Sequence, residues 1–194
     1  MLQQVADRQT SIDHRADGGD RRAGTGGSLQ VTGTGRTPSD MPGLDIAELK
    51  SWQNYLDAAL RLQAKLNQEL NEACRLTLED VRLLHELAKS ATGSVRMGTL
   101  AQTLVSTPSR VSRRVDRLEA RNLAHRASSD RDGRYVLAAI TDEGRCLLDK
   151  AMTVYGSTVR THYLEPLSQP QIAAMAENCR RINAGLSDEL RPAN

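Results

Sequence analysis

The segment Thr107-Pro108-Ser109-Arg110-Val111-Ser112-Arg113-Arg114-Val115-Asp116-Arg117-Leu118 constrains this chain more than any other. Thr107 suits a helix cap and Pro108 the first helical position. Val111, Val115 and Leu118 recur at helical spacing and form one apolar stripe. On a helical wheel, Ser109, Arg110, Arg113 and Arg117 fall on the other side. Taken alone, the helix admits two readings. Arginine forks opposite a buried stripe suit a helix that enters a DNA major groove. The same pattern also suits an amphipathic surface helix with solvated arginines.

Composition narrows the choice. The chain has 194 residues, enough for one domain or one and a half. It contains no Phe and one Trp, which argues against a large sandwich or barrel. The same poverty argues against single-strand binding, which stacks bases on aromatic platforms. Leu and Ala dominate, as suits helices. No apolar run approaches the roughly 18 residues of a membrane span, and the N-terminus lacks a signal-peptide core. A cytoplasmic protein without membrane association is expected. Cys74, Cys146 and Cys179 lie far apart with no Cys-x-x-Cys, so neither a zinc site nor a disulfide framework is indicated. No cofactor is expected.

The net charge of +2 is unevenly placed. Between Pro108 and Arg134 stand eight arginines and four acids, a local charge of +4, which leaves −2 for the remainder. A basic module in a slightly acidic chain is the electrostatic footprint of a nucleic-acid binder.

Residues 1–42 read as a flexible tail: eight of the 14 glycines lie in 1–43, and five arginines balance five aspartates there. From Leu44 to about Ala73, Leu49, Trp52, Leu56, Leu60, Leu66 and Leu70 predict a long amphipathic helix that needs a partner for its stripe. Thr77-Leu78-Glu79-Asp80 opens a second helix, which closes at Ala91-Thr92-Gly93. Ser94–Met97 reads as a short strand, and Leu100, Ala101 and Leu104 mark a short third helix. Val105-Ser106-Thr107 is the turn into the arginine helix, which completes a helix-turn-helix pattern.

Beyond Asn122 the period changes. Residues 123–127 and 135–140 read as strands of a hairpin whose charged tip is Ser128-Ser129-Asp130-Arg131-Asp132-Gly133-Arg134. Thr141 caps a helix that ends at Pro166. Ile172, Met175, Cys179, Ile182 and Leu186 then form a two-heptad seam for helix packing. The predicted fold class is mainly α with a small antiparallel β-wing. A winged helix-turn-helix over 76–141 is flanked by dimerisation helices over 44–73 and 142–190.

This order of elements resembles the MarR family of bacterial transcription regulators. The similarity rests on Arg96–Ala101, on Ser109–Glu119, and on Asp130-Arg131-Asp132-Gly133-Arg134 leading to Ile140-Thr141-Asp142-Glu143-Gly144. It covers about residues 44–190. The resemblance implies an obligate homodimer held by the first and last two helices. Double-stranded DNA would be bound at a pseudo-palindromic operator, with half-site centres about 10 bp apart. It also implies a wing whose tip arginine enters the minor groove.

On that basis Arg113 and Ser109 are expected at base edges, and Ser112 at a base or a phosphate. Arg110 and Arg117 are expected at phosphates, which position without specifying. Arg114 lies nearer the apolar stripe and is expected to pair with Glu119 or another acid. Arg131 is the wing-tip candidate, and Asp132 with Arg134 would hold the shape of the wing. The resemblance further implies repression relieved by a small-molecule effector, in a cleft where Trp52, Tyr55 and His85 are candidate lining residues. For Trp52, packing in the core is the favoured role, and for His85 a structural one. Arg82 stands where urate-responsive members carry an acid, so that chemistry is not expected.

Two alternatives keep the fold. A redox sensor would use Cys74, whose neighbour Arg75 favours the thiolate, although peroxide-sensing members place the cysteine early in the first helix. A winged-helix protein-interaction module would not bind DNA, but the arginines argue against it. For an enzyme there is no phosphate loop, no HExxH motif and no triad or paired carboxylates; four scattered histidines make no site.

Overall fold

A computed structural model describes residues 37, 39–128 and 136–189. Most of the tail and the wing tip, including Arg131, Asp132 and Arg134, lie outside the described residues. Helix α1 spans Ile46–Cys74 and opens with a reciprocal capping box between Asp45 and Glu48. Helix α2, Leu78–Lys89, opens with the same device between Thr77 and Asp80. Each box satisfies two amides that have no partner inside the helix. Strand β1 (Ser94–Arg96), helix α3 (Met97–Thr103) and helix α4 (Pro108–Glu119) follow. Strands β2 (Ala124–Ser128) and β3 (Val136–Ile140) lead to helices α5 (Asp142–Val159) and α6 (Gln169–Glu189). Beyond α5 the chain continues as a π-helical turn over Arg160–Leu164.

The short strand does more than the sequence pattern suggested. It pairs antiparallel with β3, Val95 opposite Ala138, so β3 is central in a three-stranded sheet ordered β1-β3-β2. The hairpin register sets Ala124 opposite Ile140 and Ala127 opposite Leu137.

One core gathers Leu70 and Cys74 of α1, Val81, Leu83, Leu84 and Leu87 of α2, Leu100 of α3, and Val111, Val115 and Leu118 of α4. Ala138 and Ile140 of the sheet and Leu148 and Ala151 of α5 close it. The stripe inferred for α4 is therefore its buried face. The N-terminal half of α1 differs. Residues 50–61 are all exposed, including Leu56 and Leu60. Trp52, expected to pack in the core, is 48% exposed. The stripe on which it was placed continues past the end of the core, so nothing among the described residues covers it. On α6, Ile172, Met175 and Cys179 are half-buried while Ile182 and Leu186 are exposed.

The junction between wing and α5 is tight. Thr141 donates its hydroxyl to the Asn122 carbonyl at 2.7 Å and accepts the Gly144 amide at 2.9 Å. Asn122 itself takes a positive φ of 55°, which asparagine tolerates. Gly144 packs directly on β2's entry: a Cβ there would lie 2.0 Å from the Leu123 carbonyl oxygen and 2.9 Å from Ile140. The clash is with backbone and cannot be relieved by a rotamer change. Gly144→Ala is expected to destabilise the fold by about 3 kcal/mol, read as a lowered denaturant midpoint with an unchanged slope.

Candidate nucleic-acid interface

Helix α3 ends in a Schellman arrangement. The Val105 amide donates to the Gln102 carbonyl at 3.1 Å and the Ser106 amide to the Ala101 carbonyl at 2.9 Å. Val105 takes the left-handed position of that motif, with φ +50°. Two residues later Thr107 starts α4 and accepts the Arg110 amide on its hydroxyl at 3.4 Å. Its hydroxyl also lies 3.2 Å from that of Ser109. The turn and the first helical turn together present Val105, Thr107, Pro108, Ser109 and Arg110 to solvent.

The four arginines of α4 are not equivalent. The side chains of Arg110 and Arg113 are exposed and make no hydrogen bond or ion pair among the described residues. Arg114 is 19% exposed and reaches Glu79 at 3.5 Å and Asp80 at 3.8 Å on α2. The sequence offered Glu119 or another acid as its partner; the acids are those of α2, because Glu119 is occupied elsewhere. Arg117 is 60% exposed, yet one guanidinium nitrogen stands 3.7 Å from Asp80. Asp80 is 6% exposed. One carboxylate oxygen accepts the Thr77 amide at 3.0 Å. The other has no hydrogen bond and faces the two arginines. A buried carboxylate is costly unless paired, so these two cations stabilise it and it anchors them on the flank of α4 that faces α2.

On the opposite flank, Arg126 of β2 grips α4. Its guanidinium contacts Asp116, Glu119 at 3.1 Å, the Ser112 hydroxyl at 2.9 Å and the Ser112 carbonyl at 3.3 Å. Its backbone amide donates to Glu119 at 3.0 Å. The hydrogen bond to Asp116, opposed in part by desolvation, raises the Arg126 pKa above its ordinary value. Ser112, expected at a base or a phosphate, is thereby engaged by the wing strand. Arg121, just past α4, donates to the carbonyls of Arg75 at 2.6 Å and Cys74 at 3.3 Å. It caps the C-terminus of α1, where the helix dipole favours a cation.

The sequence pattern had not singled out Asp80, Arg121 or Arg126 as site residues. For Arg126 a signal was present: Asp116 and Glu119 are two acids, three apart, on an otherwise basic helix, and they needed a cation from elsewhere. For Arg121, and for the ion pairs of Asp80, no local signal exists, because the partners stand far off in sequence: Arg75 for the one, Arg114 and Arg117 for the other.

A cleft of about 260 Å³ lies beside α4, lined by Glu79 and Arg82 of α2, Val105 of the turn, and Arg110 and Arg114. A second, open cleft runs along the start of α1 by Ile46 and Leu49. Neither is lined by Trp52, Tyr55 or His85. Trp52 and Tyr55 sit together on exposed α1, ring centroids 6.0 Å apart, and His85 is half-buried on α2. Cys74 is buried, Cys146 exposed and Cys179 intermediate. Among the described residues no cluster of His, Cys, Asp or Glu could hold a metal ion, and no helix is long and apolar enough to cross a membrane.

Known proteins share this arrangement. A MarR family model matches residues 76–134, which run from the start of α2 to the wing. The structure of Sco3205, a MarR family transcriptional regulator from Streptomyces coelicolor solved in complex with DNA, superposes with a TM-score of 0.71. It is 30% identical, over 74% of this chain and 93% of Sco3205. This chain belongs to the MarR family. MarR regulators are DNA-binding transcription factors and not enzymes. AbsC, also a MarR family regulator from Streptomyces coelicolor, shares the fold with a TM-score of 0.72 at 24% identity, covering 76% of this chain and 99% of AbsC. The uncharacterized HTH-type transcriptional regulator YhbI of Bacillus subtilis (strain 168) is 29% identical over 132 residues, 63% of this chain and 84% of YhbI.

The Arg126 cluster yields a prediction for this MarR protein. Arg126→Ala leaves Asp116 and Glu119 as unopposed acids on the basic helix. Stability is expected to fall by about 1 kcal/mol in chemical denaturation. DNA affinity is expected to fall by more than that loss explains, measured well below the melting temperature.

Proposed function

We propose that this MarR protein is a cytoplasmic, sequence-specific repressor that binds double-stranded DNA as a homodimer and is released by a small-molecule effector. One observation carries the DNA reading. Helix α4 buries Val111, Val115 and Leu118 and turns Ser109, Arg110 and Arg113 outward, with neither arginine paired to an acid among the described residues. An unpaired guanidinium on a braced helix can take guanine edges bidentately without first breaking an ion pair. In this proposal Arg113 and Ser109 read bases, and Arg110 contacts phosphate. Arg117 reaches phosphate by leaving Asp80. Ser112 joins through the Arg126 cluster, Arg131 enters the minor groove from the wing tip, and Asp132 with Arg134 shapes the wing.

The homodimer is supported by the uncovered apolar side chains at the two ends of the chain. Trp52, Leu56 and Leu60 on α1 and Ile182 and Leu186 on α6 are exposed in one chain. A second copy bringing the same faces would bury them in an isologous interface. Two-fold symmetry then calls for a pseudo-palindromic operator with half-sites about 10 bp apart. For the effector, Trp52, Tyr55 and His85 remain the candidate contacts. Their test is a ligand screen scored by loss of duplex binding, repeated on Trp52→Ala and His85→Ala.

The decisive experiment is selection of bound duplexes from a random pool by the full-length chain, followed by titration of variants. Arg113→Ala should cost about 1–3 kcal/mol and relax preference at one base position. Arg117→Ala should weaken all duplexes evenly and lower the salt slope by about one. If both variants bind the selected duplex as wild type does across a salt series, α4 is not the reading helix.

A further inference from the structure

Val105 violates two rules at once. It occupies the left-handed position that closes α3, φ +50°, where glycine carries no penalty and a β-branched side chain is strained. The residue is also 81% exposed, more than any other large hydrophobic residue described. The fold gains nothing from the isopropyl group in packing and pays in backbone strain. The other exposed apolar side chains lie mainly on α1 and α6, where a second copy would cover them, with Val136 on the wing strand. Val105 lies in the turn of the helix-turn-helix, two residues before the cap of α4. It shares the rim of the arginine-lined cleft with Arg110. Whatever receives the N-terminus of α4 therefore also receives Val105.

We propose that Val105 is a DNA contact: its methyl groups pack against an apolar surface of the operator beside the first turn of α4, and a thymine methyl there would make it a specificity determinant as well. Duplex DNA offers two such surfaces there, the 5-methyl group of thymine in the major groove and the face of a deoxyribose at the groove wall. The N-terminal end of a reading helix points into the groove, so the residue leading into it is carried to that depth or to the wall. The inference rests on the reading of α4 as the DNA-binding helix.

The test uses the full-length chain and a duplex selected from a random pool by the wild-type protein. Val105→Gly removes the side chain and the strain together; Val105→Thr keeps the branched shape and restricted backbone but replaces one methyl by a hydroxyl. Each methyl group lost from the contact is expected to weaken binding by about fourfold. Val105→Thr should therefore lose about fourfold and Val105→Gly about tenfold or more, while Val105→Gly melts at the wild-type temperature or above. Replacing each thymine in turn by deoxyuridine then identifies the surface. One position that weakens wild type but not Val105→Gly names a thymine methyl, and uniform tolerance names the sugar. Wild-type affinity in both variants, with Arg113→Ala impaired, overturns the inference and leaves the reading helix standing. Wild-type affinity in Val105→Thr with loss only in Val105→Gly also overturns it, since chain stiffness then suffices. A wild-type chain that selects no duplex overturns the DNA reading and this inference together.

Discussion

Helix α4 is held from behind by three apolar side chains and from its two flanks by opposite charges. Behind it, Val111, Val115 and Leu118 are almost fully buried in the core. On one flank Asp80 of α2 draws in Arg114 and Arg117, and on the other Arg126 of β2 draws in Asp116 and Glu119. Burial alone would keep the helix docked but would leave it free to roll by part of a residue. Two ion-pair clusters on opposite sides remove that freedom, because rolling toward one stretches the other. The direction in which Arg110 and Arg113 face solvent depends on this restraint.

Among the described residues, much of the local positive charge is therefore engaged within the fold. Of the arginines between Pro108 and Arg134, Arg114 stabilises a buried carboxylate, Arg121 caps α1 and Arg126 holds the wing strand to α4. Arg110 and Arg113 are the pair on α4 left without internal partners among the described residues. A count of charges along the sequence locates the basic module but overstates how many cations a phosphate backbone would meet. Pairing also selects among them, since a cation bonded to an acid must give up that bond before it contacts DNA.

Much of this architecture was legible from local pattern. The stripe of α4, the caps at Thr77, Thr107 and Thr141, and the hairpin strands are written in residues three to five apart, and the structure has them there. Trp52 was misplaced because periodicity shows that a stripe is apolar but not where the core beneath it stops. Arg114 went to α2 because contacts across helices are set by packing, to which the spacing along α4 is blind. Strand β1 was recognisable as a strand, but its place against β3 depends on how the whole helix-turn-helix folds back. At the site, the outward set of Ser109, Arg110 and Arg113 followed from the wheel. The clamps by Asp80, Arg121 and Arg126 did not, because each joins elements far apart in sequence.

The Arg121 cap has a mechanical meaning. It ties the end of a 29-residue helix to the turn that follows α4, so a movement of α1 is passed to that turn. A helix of that length is a lever of about 43 Å. Tilting such a lever by about 5° displaces its end by about 4 Å, more than the 3.4 Å rise of one base pair. A small change of angle at the exposed half of α1 would thus shift α4 by about one base-pair step, enough to break the register proposed for it. The DNA-binding module itself would not have to deform at all.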